Sequence, residues 1–340
     1  MRRDYHYYAI YIICIWAGIK PQIAEMLAYA SEQVDDAKLQ GPLKILDGGQ
    51  YWPISSAHPI MHPDFFQPKT ALNLYAPFHF FPSLSGLDFD SRMCCLPESE
   101  GILALKRHVL RSLHFEYGQY YLGIALHIIA DSYAHQGFSA IKSECNEVNH
   151  LKINTSGLLD IVLPPAGTLF PPIAHLQATT CPDEPACIWT YFTKSGTLQY
   201  ANNLERYLEA SKTIYHWLSL DVRKVRPDLY NSEPQDFSTL AKPLSNMLNL
   251  NMLLKDRLLV WERALEHTYF GDIKSVRYNA DYWKDQAIEV HKRKHGEGYF
   301  ISLNIDFQHS HWHLFNIALV EHLNFFRYKF FPKYQIYIYV

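Results

Sequence analysis

The stretch that most constrains this chain is Gly123-Ile-Ala-Leu-His-Ile-Ile-Ala-Asp-Ser-Tyr-Ala-His-Gln-Gly-Phe138. It reads as a helix that is apolar on nearly every side, and such a helix belongs in a core. Yet it carries His127, Asp131 and His135 at steps of four. Four residues at about 100° each advance the direction of projection by only about 40°, so the three side chains share one narrow stripe. A carboxylate buried there is costly unless it is paired or bound to a metal. The two histidines stand about 12 Å apart along the axis, too far to share one ion easily, with Asp131 and its two oxygens between them. The stripe therefore fits one ion on a neighbouring pair, or two ions bridged by Asp131. The competing reading is three hydrogen-bonded core side chains.

Composition frames the search for partners. The chain has 340 residues, 48% apolar and 19% charged, which is globular and excludes wholesale disorder. A net charge of −3 argues against an extended nucleic-acid-binding surface. Eighteen His justify looking for metal. The six Cys, at 14, 94, 95, 145, 181 and 187, form no CxxC pair. Cys14 reads as a buried thiol, and Cys181 and Cys187 flank a Pro-rich loop that an oxidising compartment could bridge.

Arg2-Arg3 and the apolar run over 7–19 look like the front of a signal peptide, but Asp4 and His6 break the pattern and no Ala-x-Ala site follows. The run is too short to span a membrane, and no other segment is long enough. The expectation is a buried first helix in a cytoplasmic protein, with secretion as the alternative.

Along the chain, helices are expected over 4–18, 21–36 and 98–113, and then the core helix, stopped by Gly137. Further helices are expected over 197–220, 234–270 with a break near Pro243, 277–294 and 307–326. Helix 21–36 ends on Asp35-Asp36, where the dipole disfavours negative charge and a cation would compensate. Residues 40–97 and 139–196 read as irregular and Pro-rich, and loops of this length are usually functional. His79 sits rigidly in Pro77-Phe-His-Phe-Phe-Pro82, whereas His58 and His62 lie in looser sequence. His175 and Asp183 fall on Pro-constrained loops. His309, His311, His313 and His322 read as surface or core residues. The tail 329–340 is a short strand or an extended segment. The fold expected is all-α: one multi-helix domain over 1–340, with a metal-site core in 4–220 and a C-terminal helical part in 221–340. Long Pro-rich loops cover the buried site.

The candidate ligands are thus His6, Asp35, Asp36, His79, His127, Asp131, His135, His175 and Asp183. Mixed His and carboxylate donors suit zinc, and equally iron or manganese.

Their order resembles the all-helical zinc-dependent phospholipase C and single-strand nuclease superfamily. The segments carrying the likeness are Asp4-Tyr-His-Tyr-Tyr8, Ala30-Ser-Glu-Gln-Val-Asp-Asp36, Pro77-Phe-His-Phe80, Leu126-His-Ile-Ile-Ala-Asp-Ser-Tyr-Ala-His-Gln-Gly-Phe138 and Pro171-Pro-Ile-Ala-His175. The nearest match looks like a less-studied bacterial family within or beside that group. The resemblance implies two or three ions. His79, His127, Asp131 and one of Asp35 and Asp36 would surround one. His6 would share a second across Asp131, and His135, His175 and Asp183 would hold another. Three features depart from the family pattern. The phospholipases use a free N-terminal Trp as ligand where this chain has Met1-Arg-Arg, His135 follows Asp131 unusually closely, and Asp183 lies eight residues after His175.

The activity implied is metal-dependent hydrolysis of a phosphate ester (phospholipid, nucleotide or another phosphodiester), with Asp35 or Asp36 accepting the proton from water. Two alternatives stand beside it: a different His/carboxylate metal enzyme, such as an iron type, and a non-catalytic binding protein stabilised by metal.

Overall fold

The computed structural model describes residues 1–58, 66–155, 158–162, 170–292 and 299–337. The expected all-α class is overturned. The molecule is largely helical, but its described residues also form three small antiparallel sheets, of two, four and two strands.

The site is set by the pairing of two helices. Helix α1 (Ile10–Trp16) continues a π-wound opening, Asp4–Ala9, and every side chain in both is buried. Helix α2 (Pro21–Asp36) starts on a proline, whose missing N–H and fixed φ suit a first turn, and buries the small face Ala24, Ala28, Ala30 and Ser31. Helix α3 (Glu100–Ser112), capped by Ser99, leads into α4 (Gly118–Ala134), the apolar helix of the stripe. Where α4 crosses α2, Gly123 has no side chain to hold them apart. A Cβ there would come within 2.5 Å of Ala30 Cβ and 2.8 Å of the Leu27 carbonyl oxygen. That close approach brings the acidic end of α2 beside the stripe.

The four-stranded sheet falls where irregular chain and the start of a helix are expected. Strands β3 (Asn149–Thr155) and β4 (Leu158–Val162) form one hairpin, and β5 (Ile188–Phe192) and β6 (Leu198–Asn202) another, with β3 and β5 adjacent. In β5 the side chains alternate in burial, with Trp189 and Tyr191 inward. Leu198, which has helical spacing with Leu204 and Leu208, is an exposed strand residue, and helix α5 begins only at Asn203 (Asn203–His216). Residues 277–294 likewise divide into a short helix, Tyr282–Ala287, and strand β7 (Ile288–Lys292), which pairs with β8 (Tyr299–Leu303). The first sheet is the short pair β1 (Leu43–Lys44) and β2 (Gln50–Tyr51).

Helices α6 (Phe237–Leu248) and α7 (Leu254–Glu266) are separated at 249–253 rather than at Pro243, which lies inside α6. Helix α8 (His311–Asn324) runs into a π-wound turn, Phe325–Phe330. These later elements pack on the first ones through one continuous apolar core from Met1 to Ile336. Polar ties cross the same boundary: Arg257 Nε donates to Asp4 at 2.6 Å, and the Tyr8 hydroxyl donates to Glu262 at 3.0 Å. Among the described residues no helix is long and apolar enough to cross a membrane.

Candidate metal centre

Every sequence-derived ligand except Asp36 enters one of three groups whose donor atoms lie within 4.8 Å of one another: His6, His127 and Asp131; Asp35, His79 and His127; and His135, His175 and Asp183. Asp131 is the hub. Its Oδ1 lies 3.2 Å from His6 Nε2, and its Oδ2 lies 3.2 Å from His127 Nε2 and 3.4 Å from His79 Nδ1. Asp35 Oδ1 closes the second group at 3.6 Å from His79 Nδ1 and 4.0 Å from His127 Nε2. In the third, Asp183 places one oxygen 3.1 Å from His135 Nε2 and the other 3.4 Å from His175 Nε2.

Local folding explains how distant residues meet. His6 lies in the π-wound opening, where the wider turn redirects side chains, and its ring stacks on that of His127 with centroids 3.9 Å apart. His79 ends a short helix, Ala76–Phe78, immediately after Pro77 and Phe78. His135 is the C-cap of α4, and its Nδ1 still lies 3.7 Å from Asp131 Oδ2 one turn before it. Asp183 returns to His175 through two 3-10 turns, Leu176–Ala178 and Cys181–Asp183, reversed at Thr179 with φ +56°.

The imidazoles share one arrangement. His127 Nδ1 is 2.9 Å from the Ser31 carbonyl, His79 Nε2 is 2.9 Å from that of Ser56, His135 Nδ1 is 2.8 Å from that of His79, and His175 Nδ1 is 2.9 Å from that of Thr179. A carbonyl oxygen can only accept, so in each neutral ring the N–H is spent there and the other nitrogen presents a lone pair. Those lone pairs aim at carboxylate oxygens, which are acceptors too. Facing acceptors at 3.1–3.6 Å repel unless a proton or a cation lies between them. His6 sharpens the point: it is fully buried, and among the described residues neither ring nitrogen has a hydrogen-bond partner. Orienting a metal-binding imidazole by a backbone carbonyl is the usual outer support of a metal site, so the donor set fits zinc, iron or manganese.

The electrostatics concentrate charge at the centre. Burial alone would push the Asp131 carboxyl up, but the Met1 amino group, His135 and His127 hold it well below the usual carboxylate range. Asp183 is held low in the same way by the Met1 amino group, His175 and His135. Burial and Asp131 push the Asp35 carboxyl up, but His127 and His79 hold it below its ordinary value. Burial and the neighbouring His127 and Met1 nitrogen push His6 down to about 3, so its ring is neutral.

Two placements are not foreseeable from side-chain types. The Met1 nitrogen lies fully buried between Asp131 Oδ1 at 2.6 Å and Asp183 Oδ1 at 3.2 Å. Burial pushes its pKa down, but Asp131, Asp183 and Asp35 raise it to about 11. Glu32, buried one turn before Asp35, gives one oxygen to Arg3 at 2.8 Å and leaves the other without a hydrogen bond. Burial and Asp35 raise it well above its ordinary value.

The remaining candidates lie elsewhere. Asp36 turns away to accept from Arg3, Lys38 and the Tyr278 hydroxyl, each at 3.0 Å. The cation expected at the end of α2 is thus supplied by side chains. His58 contacts Gln40, and His62 lies outside the described residues. His309 pairs with Glu116, His311 with Tyr120 and His313 with Tyr51, while His322 is buried against the Pro77 carbonyl.

The match to a known family spans nearly the whole molecule: a family model described as a family of unknown function (DUF6765) matches residues 1–330. No curated protein and no solved structure matches the chain.

Proposed function

This chain belongs to the DUF6765 family, and from its site we propose that it is a metal-dependent hydrolase of phosphate esters. One observation carries the reading: four imidazoles, each tied to a backbone carbonyl through one nitrogen, turn the other onto three shared carboxylates. Such a set is built for cations, with Asp131 between two of the groups. The order of the ligands, like that of the zinc-dependent phospholipase C and single-strand nuclease superfamily, supports zinc as the metal and a phosphate ester as the substrate. Zinc held there would supply Lewis acidity to a phosphoryl oxygen and acidify water.

The protein's own groups divide the remaining tasks. His6, His127 and Asp131 are sealed from solvent and set the charge of the centre. Asp35 is the carboxylate of the three groups most open to solvent, its side chain 34% exposed. It marks the open side, where a substrate enters. Held below its ordinary pKa, it is ionised at neutral pH and able to take the proton from attacking water. A purely structural metal would instead be enclosed by protein ligands on every side.

Elemental analysis of the purified chain, followed by turnover of bis(para-nitrophenyl) phosphate and of the corresponding monoester, tests this. The expected result is bound zinc, turnover abolished by chelation, and a fall of about 100-fold or more in Asp35→Asn, the range of lost general-base catalysis. Stoichiometric metal with no turnover of either ester would overturn the proposal.

A further inference from the structure

Four of the six cysteines stand as two neighbouring pairs, and both pairs lie at the same corner of the candidate metal centre. Cys181 and Cys187 close the turn that carries Asp183. Their backbones are folded together by hydrogen bonds from Glu184 N to the Cys181 carbonyl at 3.3 Å and from Cys187 N to the Glu184 carbonyl at 3.0 Å. Buried Asn203 grips both ends: its backbone N–H donates to the Cys187 carbonyl at 3.1 Å, and its side-chain amide donates to the Cys181 and Glu184 carbonyls. Cys181 lies buried at one end of this turn and Cys187 half-buried at the other.

The second pair joins separate segments. Cys94 ends the short helix Phe89–Met93, and Cys145 lies in the 3-10 turn Glu144–Asn146. Ser143 Oγ donates to Asp90 at 3.1 Å across the same gap, and the Cys94 thiol donates to the Asp90 carbonyl at 3.3 Å. The next residue, Cys95, exchanges backbone hydrogen bonds with Gly137 and Phe138 at 2.8 and 2.7 Å, just beyond His135. Cys14 and Cys95 are buried.

We propose that Cys181–Cys187 and Cys94–Cys145 are disulfide-forming pairs, whose oxidation staples the turn bearing Asp183 and the segment behind His135. In each, two S–H bonds are lost and one S–S bond forms. The two electrons and two protons pass to a disulfide oxidant, whose own S–S bond breaks to give two thiols. With the thiols reduced, the turn around Asp183 is held by non-covalent contacts alone. With them oxidised, its ends are covalently joined and its opening is restricted. The inference does not depend on metal or on catalysis.

The test uses the full-length, metal-free protein, kept reduced or incubated with oxidised dithiothreitol, then denatured, alkylated, digested and read by mass spectrometry. The expected result is cross-linked peptides joining 181 to 187 and 94 to 145, with Cys14 and Cys95 alkylated. Cys187→Ser should lose the first link and keep the second. Amide hydrogen exchange at Asp183 and Glu184 should slow by about tenfold or more on oxidation, as local opening is suppressed. Links through Cys14 or Cys95, six alkylated thiols after oxidation, or unchanged exchange across the turn would each overturn the proposal.

Discussion

Asp131→Asn tests the architecture of the centre most directly. Asn keeps the shape of the side chain and removes its charge, so α4 should still pack while two ligand groups lose their shared anion. In the native chain one oxygen faces His6 and the Met1 nitrogen, and the other faces His127 and His79. Even lesions outside the ligand shell weaken metal binding by about 10–100-fold, so a lost bridging ligand should cost at least about 100-fold. At free zinc about 100 times the native Kd, binding stabilises the fold by about 2.7 kcal/mol per ion; at 100-fold weaker affinity this falls to about 0.4. The loss is about 2.3 kcal/mol per ion. At about 1.4 °C per kcal/mol for a chain of this size, that is about 3 °C per ion, and about 6 °C if two ions share Asp131.

The assay is the difference in Tm between zinc-loaded and chelator-stripped protein, compared between native chain and variant. Any effect of the substitution on the bare fold cancels in that difference. Zinc content by elemental analysis should fall in parallel. If Asp131→Asn retains both the zinc-dependent rise in Tm and the metal content, Asp131 is a hydrogen-bonded core residue and the bridging arrangement is wrong.

Gly123→Ala should destabilise the fold by about 1–3 kcal/mol in urea unfolding, because its methyl must displace Ala30 or the Leu27 backbone; a neutral result would show that α2 and α4 part easily. Arg257→Ala should cost about 3–5 kcal/mol by stranding buried Asp4, and adding Asp4→Asn should recover part of that loss; if it does not, Asp4 and Arg257 are not coupled as a buried pair. Burial holds His322 at about 4 in the fold against about 6.5 unfolded, so its stabilisation is complete above about pH 6.5 and is lost as pH falls toward 4. Metal-free protein should therefore lose about 2 kcal/mol from this residue between pH 7 and 5, and urea titrations should show a flatter profile by that amount in His322→Gln.

What can be read from the chain depends on whether a feature is local. Helix α2 is legible to its ends because Pro21 marks its first turn and the buried small residues recur at helical spacing. The α4 stripe is legible because charge on an all-apolar helix demands a partner. The strands are not, since β5 and β6 are short, interrupted by Lys194-Ser-Gly196, and followed by leucines whose spacing extends a helical pattern back over Leu198. Pairing, which makes a strand, is a tertiary event.

The site divides along the same line. Its side-chain donors can be named from the sequence because His and Asp in apolar or Pro-fenced surroundings need a reason to be there. Neighbouring residues of a helix project about 100° apart, so Asp35 and Asp36 cannot both face one ion, though spacing alone does not choose between them. Position chooses: Arg3 and Tyr278 claim Asp36 and leave Asp35 to the histidines. The features that ready the site for a cation are backbone atoms, namely the carbonyls of Ser31, Ser56, His79 and Thr179, and they are out of reach of any pattern. A carbonyl has the same chemistry on every residue, so the sequence can name the candidate ligand side chains but not the acceptors that fix which nitrogen each imidazole presents. It follows that replacing Ser31 or Thr179, whose hydroxyls make no hydrogen bond to the imidazoles their carbonyls orient among the described residues, should leave that orientation intact, whereas moving their backbone should not.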